Sequence, residues 1–155
     1  MSAAAAVADL RGRRRVLDLP RREHRVLRTL RHRHRRALRL RLSPGLLARV
    51  TPARLREAIG VLLDNALRHG AGAVTLTART GDATRADTVV IEVSDAGAGV
   101  PDELAPHIFD RGVSGAGSTG LGLALARALV DSDGGRLELS TARPPTFTVF
   151  LPVPK

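Results

Sequence analysis

Apolar and polar positions recur along most of this chain at the periods of strand and helix. From Ala37 to Leu42 (ALRLRL), Leu38, Leu40 and Leu42 alternate with arginines as in a strand, and Ser43-Pro44-Gly45 ends it. Residues 51–70 (TPARLREAIGVLLDNALRHG) change to a helical period. Leu55, Ala58, Ile59, Leu62, Leu63 and Ala66 fall on one face, with Thr51 as a capping residue, Pro52 at the first helical position and Gly70 just past the end. At 100° per residue Asn65 lies on the margin of that face, about 90° from its centre, and Asp64 points to solvent.

Val74, Leu76 and Ala78 then alternate, TGDATRAD turns the chain, and Val89, Ile91 and Val93 return it as a half-buried strand reaching Asp95. A second helix opens at the glycines of STGLGLALARALV and stops at Asp133–Gly135. Leu137 and Leu139 face Phe147, Val149 and Leu151 across a turn holding Arg-Pro-Pro. Five one-sided strands and two amphipathic helices predict an α+β two-layer sandwich, a mixed, mainly antiparallel sheet with helices packed on one face. No internal repeat is present.

Composition narrows the class. At 155 residues the chain suits one domain, and with aromatics at only 2 % its core must be aliphatic. No apolar run is long enough to cross a bilayer and MSAAAAVADL lacks a signal-peptide core, so a soluble, cytoplasmic address is expected. The absence of cysteine excludes disulfides and thiolate metal sites. The net charge of +10 is uneven: residues 1–42 hold fourteen arginines against three acids, a net +11, whereas the remaining 113 residues are near neutral at −1. Residues 1–35 therefore read as an Arg-rich arm, helical over 10–35 with a break near Pro20, a solvated face or a linker remnant rather than a nucleic-acid site. The domain proper is 36–153.

The chemistry concentrates between Ser94 and Val130. A strand-end acid is followed by Asp95-Ala96-Gly97-Ala98-Gly99, where glycines allow close backbone approach. About twenty polar residues separate it from a glycine-rich helix start, whose free N–H groups suit phosphate. A carboxylate that can accept from a base edge, a polar cover and an anion-binding helix start are the layout of a nucleotide site.

Four motifs occur in order: NALRH at 65–69, DAGAG at 95–99, IFDR at 108–111 and TGLGLALA at 119–126. Together they resemble the N, G1, F and G2 boxes of the ATP-binding domain of sensor histidine kinases, within the superfamily that includes gyrase, a heat-shock chaperone and MutL. The resemblance implies a Bergerat-type fold with ATP and Mg²⁺ as cofactors. It gives Asn65 the magnesium, Arg68 and His69 an approach to phosphate, and Asp95 the adenine amino group, with Gly97 and Gly99 leaving room for the ring. Phe109 would pack at the root of a lid spanning about 101–118, and the amides of Gly120 and Gly122 would meet the phosphates. Val100, Thr119, Leu121 and Leu123 complete the implied ATP-binding set. By its helix position His69 could equally be packed inward.

Two departures qualify the resemblance. Hydrolysing relatives carry a glutamate base where this chain has Val61, which cannot take a proton, so steady ATP hydrolysis is not expected. Ser118 replaces the first glycine of the last box. No phosphoacceptor is evident among His24, His32, His34 and His107, so the chain reads as an isolated or truncated catalytic domain. It would transfer the γ-phosphoryl group to a histidine of a separate dimerisation domain, with a response regulator onward, and the resemblance leaves open a membrane-anchored parent. The alternatives are a serine kinase like the anti-sigma factors, and a non-catalytic ATP-binding module whose basic arm meets an acidic or nucleic-acid partner.

Overall fold

The structure, a computed structural model, describes residues 36–112 and 121–154, together with the backbone of the short strands β1 (Val7–Ala8) and β2 (Arg14–Arg15). The helix expected over 10–35 otherwise lies outside the described residues; at Arg14–Arg15 the chain is strand instead, paired antiparallel with β1 on one side and with β4 (Leu47–Ala48) on the other.

The main sheet has five strands: β3 (Leu38–Leu42), β5 (Val74–Thr80), β6 (Thr88–Ser94), β7 (Arg136–Thr141) and β8 (Thr146–Pro152). Their order is β3-β5-β6-β8-β7. β3 and β5 run parallel with Leu40 opposite Leu76, and every other pairing is antiparallel. The parallel pair needs a crossover, and α1 (Pro52–His69) supplies it. Helix α2 (Gly122–Ser132) packs beside α1 on the same face of the sheet.

The core lies between that face and the helices. Leu55, Ala58, Ile59, Leu62, Leu63 and Ala66 of α1 are all buried, as the helical period requires. They meet Val74, Leu76, Val89, Ile91, Val93, Val149 and Leu151 from the strands. At ~1.5–3 kcal/mol for each large aliphatic side chain, this burial is what holds α1 to the sheet.

Strand alternation is incomplete at the sheet's centre. Val90 and Thr148 point away from the helices yet are buried. Phe150 lies on that open face with the Arg85 and Arg136 guanidinium carbons 4.5 and 4.9 Å from its ring centre, and the Ser140 and Thr148 hydroxyls pair at 2.5 Å. Long arginine side chains cover apolar surface there while keeping their charge in water.

The predicted cap of α1 is replaced by a tertiary one. The Thr51 hydroxyl donates to Asp133 Oδ1 at 2.7 Å and the Thr51 amide to Oδ2 at 2.7 Å, so the side chain makes no capping bond within its own helix. Arg54 Nη1 reaches the same carboxylate at 2.9 Å. Asp133 follows α2, so one carboxylate ties the start of α1 to the end of α2.

Candidate functional site

The site is organised along α1, which carries Val61, Asn65, Arg68 and His69 on about 12 Å of helix. At the C-terminal end the chain turns through Gly70, Ala71 and Gly72 and meets the acid that ends β6. Asp95 Oδ1 accepts from the Gly97 amide at 2.7 Å and from the Ala71 amide at 3.3 Å. The Ala96 amide donates to Ala71 O at 2.9 Å, so the two segments are laced together. These bonds use one carboxylate oxygen and fix the orientation of the other.

The glycines here serve contact. Gly70 is extended (φ −89°, ψ −174°), not left-handed as a helix-ending glycine often is; it is glycine because a Cβ would overlap the Asp95 carboxyl carbon. A Cβ on Gly97 would lie 2.6 Å from Asp95 Oδ1 and 3.0 Å from the Ala71 nitrogen. Gly99 has φ +87°, and a Cβ there would run into Ala142 O and the Arg143 side chain of the β7–β8 turn. Its contacts are thus with that turn. The Val100 amide donates to Ala142 O at 2.9 Å and Arg143 Nη2 to Asp102 Oδ1 at 2.7 Å, which pins the start of the 101–112 segment.

Toward the other end, α2 begins against α1. A Cβ on Gly122 would lie 3.4 Å from Val61 Cγ1, so the glycine-rich helix start and the position of the missing base are neighbours. Leu123 is half-buried against the core, whereas Leu121 is 55 % exposed. Thr119 and Gly120 lie outside the described residues, as does Ser118.

Asn65 sits between the two ends, half-buried, with no side-chain hydrogen bond to another described residue. Its amide oxygen is therefore available to a hard cation. Among the described residues there is no group of three or more His, Cys, Asp or Glu side chains that could cage a metal. A cation shared by Asn65, phosphate oxygens and water fits this donor set; an all-protein metal site does not.

Arg68 and His69 are exposed. Arg68 Nε donates to Asp64 at 3.1 Å one turn back. His69 is not packed inward: Ala66 is the last buried residue of α1, and the chain leaves the helix at Gly70 before anything covers the ring. Phe109 is half-buried, edge-on to Phe147 with centroids 6.0 Å apart, and Arg127 of α2 lies 5.2 Å from its ring centre. It thus joins the segment after the DAGAG motif to both layers of the fold. A hollow of about 280 Å³ on the sheet's open face, lined by Arg79, Glu92, Thr148 and Phe150 among others, includes none of the motif residues.

The fold and these placements define a class, and comparison with known proteins gives the same one. The family described as "Histidine kinase-, DNA gyrase B-, and HSP90-like ATPase" matches residues 50–155, and the chain belongs to it. Its relatives place it on the sensor histidine kinase branch, as an ATP-binding catalytic domain. It is 44 % identical over 104 residues to the sensor protein DivL of Caulobacter vibrioides, covering 64 % of this chain and 13 % of DivL. It is 35 % identical over 122 residues to the sensor histidine kinase component HK1 of Mycobacterium tuberculosis, covering 66 % of this chain and 70 % of HK1. Among solved structures, full-length ShkA in complex with AMPPNP superposes with a TM-score of 0.71 at 26 % identity, covering 99 % of this chain and 32 % of that one. This chain thus spans about an eighth of DivL and a third of ShkA. Among the described residues, no helix is long and apolar enough to cross a membrane.

Proposed function

We propose that this chain binds Mg·ATP and transfers the γ-phosphoryl group to a histidine on a dimerisation domain carried by another chain or segment, with a response regulator as the next acceptor and a cytoplasmic address. The observation that carries this reading is the arrangement along α1. A carboxylate fixed by the Gly97 and Ala71 amides stands at one end, a glycine-rich helix start against Val61 at the other, and between them Asn65, whose side-chain amide has no hydrogen bond to another described residue.

In this reading Asp95 accepts from the adenine amino group through its second oxygen, and Gly97 and Val100 line the ring. The amides of Gly120 and Gly122 face the phosphates, supported by the positive end of α2. Magnesium would be held by Asn65 and would supply charge neutralisation across the phosphates. A ring nitrogen of the acceptor histidine bonds to the γ-phosphorus as the bond to the β–γ bridging oxygen breaks, and ADP leaves with that electron pair. The domain's own work is to position and neutralise. Val61, beside Gly122 where hydrolysing relatives carry a base, cannot take a proton from water, so the phosphoryl group waits for the histidine.

The test is titration of the chain with a fluorescent ATP analogue, with and without Mg²⁺, followed by transfer to a supplied dimerisation domain. Mg-dependent binding that Asp95→Asn weakens, and an acid-labile phosphoprotein, are expected. An acid-stable product would transfer the reading to a serine kinase; no Mg-dependent binding at all would end it.

A further inference from the structure

Arg36 lies outside every motif, in the residue pair that precedes β3, yet its side chain reaches the back of the adenine end of the site. Nη1 donates to Ala66 O at 2.7 Å and Leu67 O at 3.0 Å, and Nε donates to Gly72 O at 2.8 Å. The first two acceptors belong to the last turn of α1: Ala66 O also accepts from the Gly70 amide at 3.0 Å, and Leu67 O is among the last carbonyls of the helix, which lack a continuing turn to bond to. The third belongs to the turn whose middle residue, Ala71, donates to Asp95. Nη2 is buried and has no hydrogen-bond partner among the described residues, so that end of the half-buried guanidinium is enclosed by protein.

From this geometry we infer that Arg36 is a positioning residue for nucleotide recognition: it holds the 70–72 turn against the end of α1 and so sets where the Asp95 carboxylate points. The turn is gripped from two sides. Ala96 N and Asp95 hold Ala71 from the site, and Arg36 holds Ala66, Leu67 and Gly72 from behind. On the site side the Ala71 carbonyl is held by the Ala96 amide at 2.9 Å, but the Ala71 amide reaches Asp95 only at 3.3 Å, close to the limit for such a bond. Without the rear grip three carbonyls lose a charged donor and the Ala71 amide loses its backing. The guanidinium fork is what makes the contact possible, because one planar group spans helix end and turn at once; an ammonium cannot.

Val74 N donates to Ala37 O at 2.8 Å, so the backbone next to Arg36 is fixed where β3 joins the sheet. Arg36 is thus carried on backbone that the sheet holds in place. This inference rests on Asp95 being the adenine acceptor.

Three chains decide it: wild type, Arg36→Ala and Arg36→Lys, titrated with the Mg²⁺ complex of a fluorescent ATP analogue and of its GTP counterpart, with solvent exchange of the Ala71 and Gly97 amides measured without nucleotide. Expected for Arg36→Ala are roughly tenfold weaker ATP-analogue binding, reduced preference over GTP, and faster Ala71 exchange. The transfer rate at saturating ATP should stay within about twofold, so that the loss is in KM and not kcat. Arg36→Lys should fall between. Affinity within twofold of wild type, or unchanged Ala71 exchange, would overturn the inference even if thermal stability drops. Should Arg36→Ala fail to fold, the same two readings on Arg36→Lys decide. Failure of the functional reading looks different: Asp95→Asn would then bind like wild type, while the Ala71 exchange still reports on the clasp.

Discussion

Gly70 and Asp95 are so close that a β-carbon on the first would occupy the space of the second's carboxyl group. A residue from the helix side and a residue from the strand side thus define one wall, and the wall exists only while position 70 has no side chain. Gly70→Ala is expected to push the carboxylate aside and weaken ATP-analogue binding about tenfold, ~1.4 kcal/mol, with little effect on a Gly45→Ala control judged by the same titration.

Val61 stands against Gly122, where a water-activating carboxylate would serve in a hydrolysing enzyme. Val61→Glu is expected to raise steady phosphate release from ATP about tenfold, short of the ~10²–10⁴ of a well-placed base. Val61→Gln, which cannot take the proton, should not. A coupled phosphate assay separates the two, and equal rates would remove Val61 from the explanation.

The Asp133 carboxyl is opposed by its own burial, which alone would raise its pKa, but bonds from the Thr51 amide, the Thr51 hydroxyl and Arg54 outweigh this and hold it below the ordinary value. A lowered folded value means the stabilisation is complete above the unfolded carboxyl's ~3.9 and is lost as pH falls through the folded value. Asp133→Asn should therefore lower Tm at pH 7 and close the gap to wild type below about pH 4. Asp133→Ala should cost ~2 kcal/mol at neutral pH, read by denaturant unfolding.

Phe109 bridges the layers through Phe147 and Arg127. Phe109→Ala is expected to cost about 2 kcal/mol, less than a fully buried ring, and to weaken nucleotide binding as well. Phe109→Leu, which keeps apolar volume, should restore most of the stability.

What could be read from the sequence follows from the range of each interaction. The buried face of α1 is a local property, and Leu55 through Ala66 declare it at 3.6-residue spacing. Asp95 at a strand end and the glycines around it are legible for the same reason. The Thr51–Asp133 bond joins residues 82 apart, and the Arg36–Ala66 bond residues 30 apart. Nothing near Thr51 signals that its hydroxyl will leave its own helix for another. Val90 reads as an outward position because alternation sees one strand at a time, whereas it is buried with Phe150 directly opposite on the neighbouring strand and Arg85 stacked over that ring. For His69 the helical phase left an inward position open beside the approach to phosphate, and the side chain is exposed instead, because a phase has no knowledge of where the helix stops.

The parallel pairing of β3 with β5 has a practical side. Because α1 lies on the path joining two adjacent strands, severing the backbone on either flank of it would detach the segment bearing Asn65 from one of its anchors. The exposed 82–87 loop, by contrast, joins antiparallel neighbours and makes no hydrogen bond or ring contact with a described motif residue. A two-fragment reporter or a circularly permuted variant is best opened there.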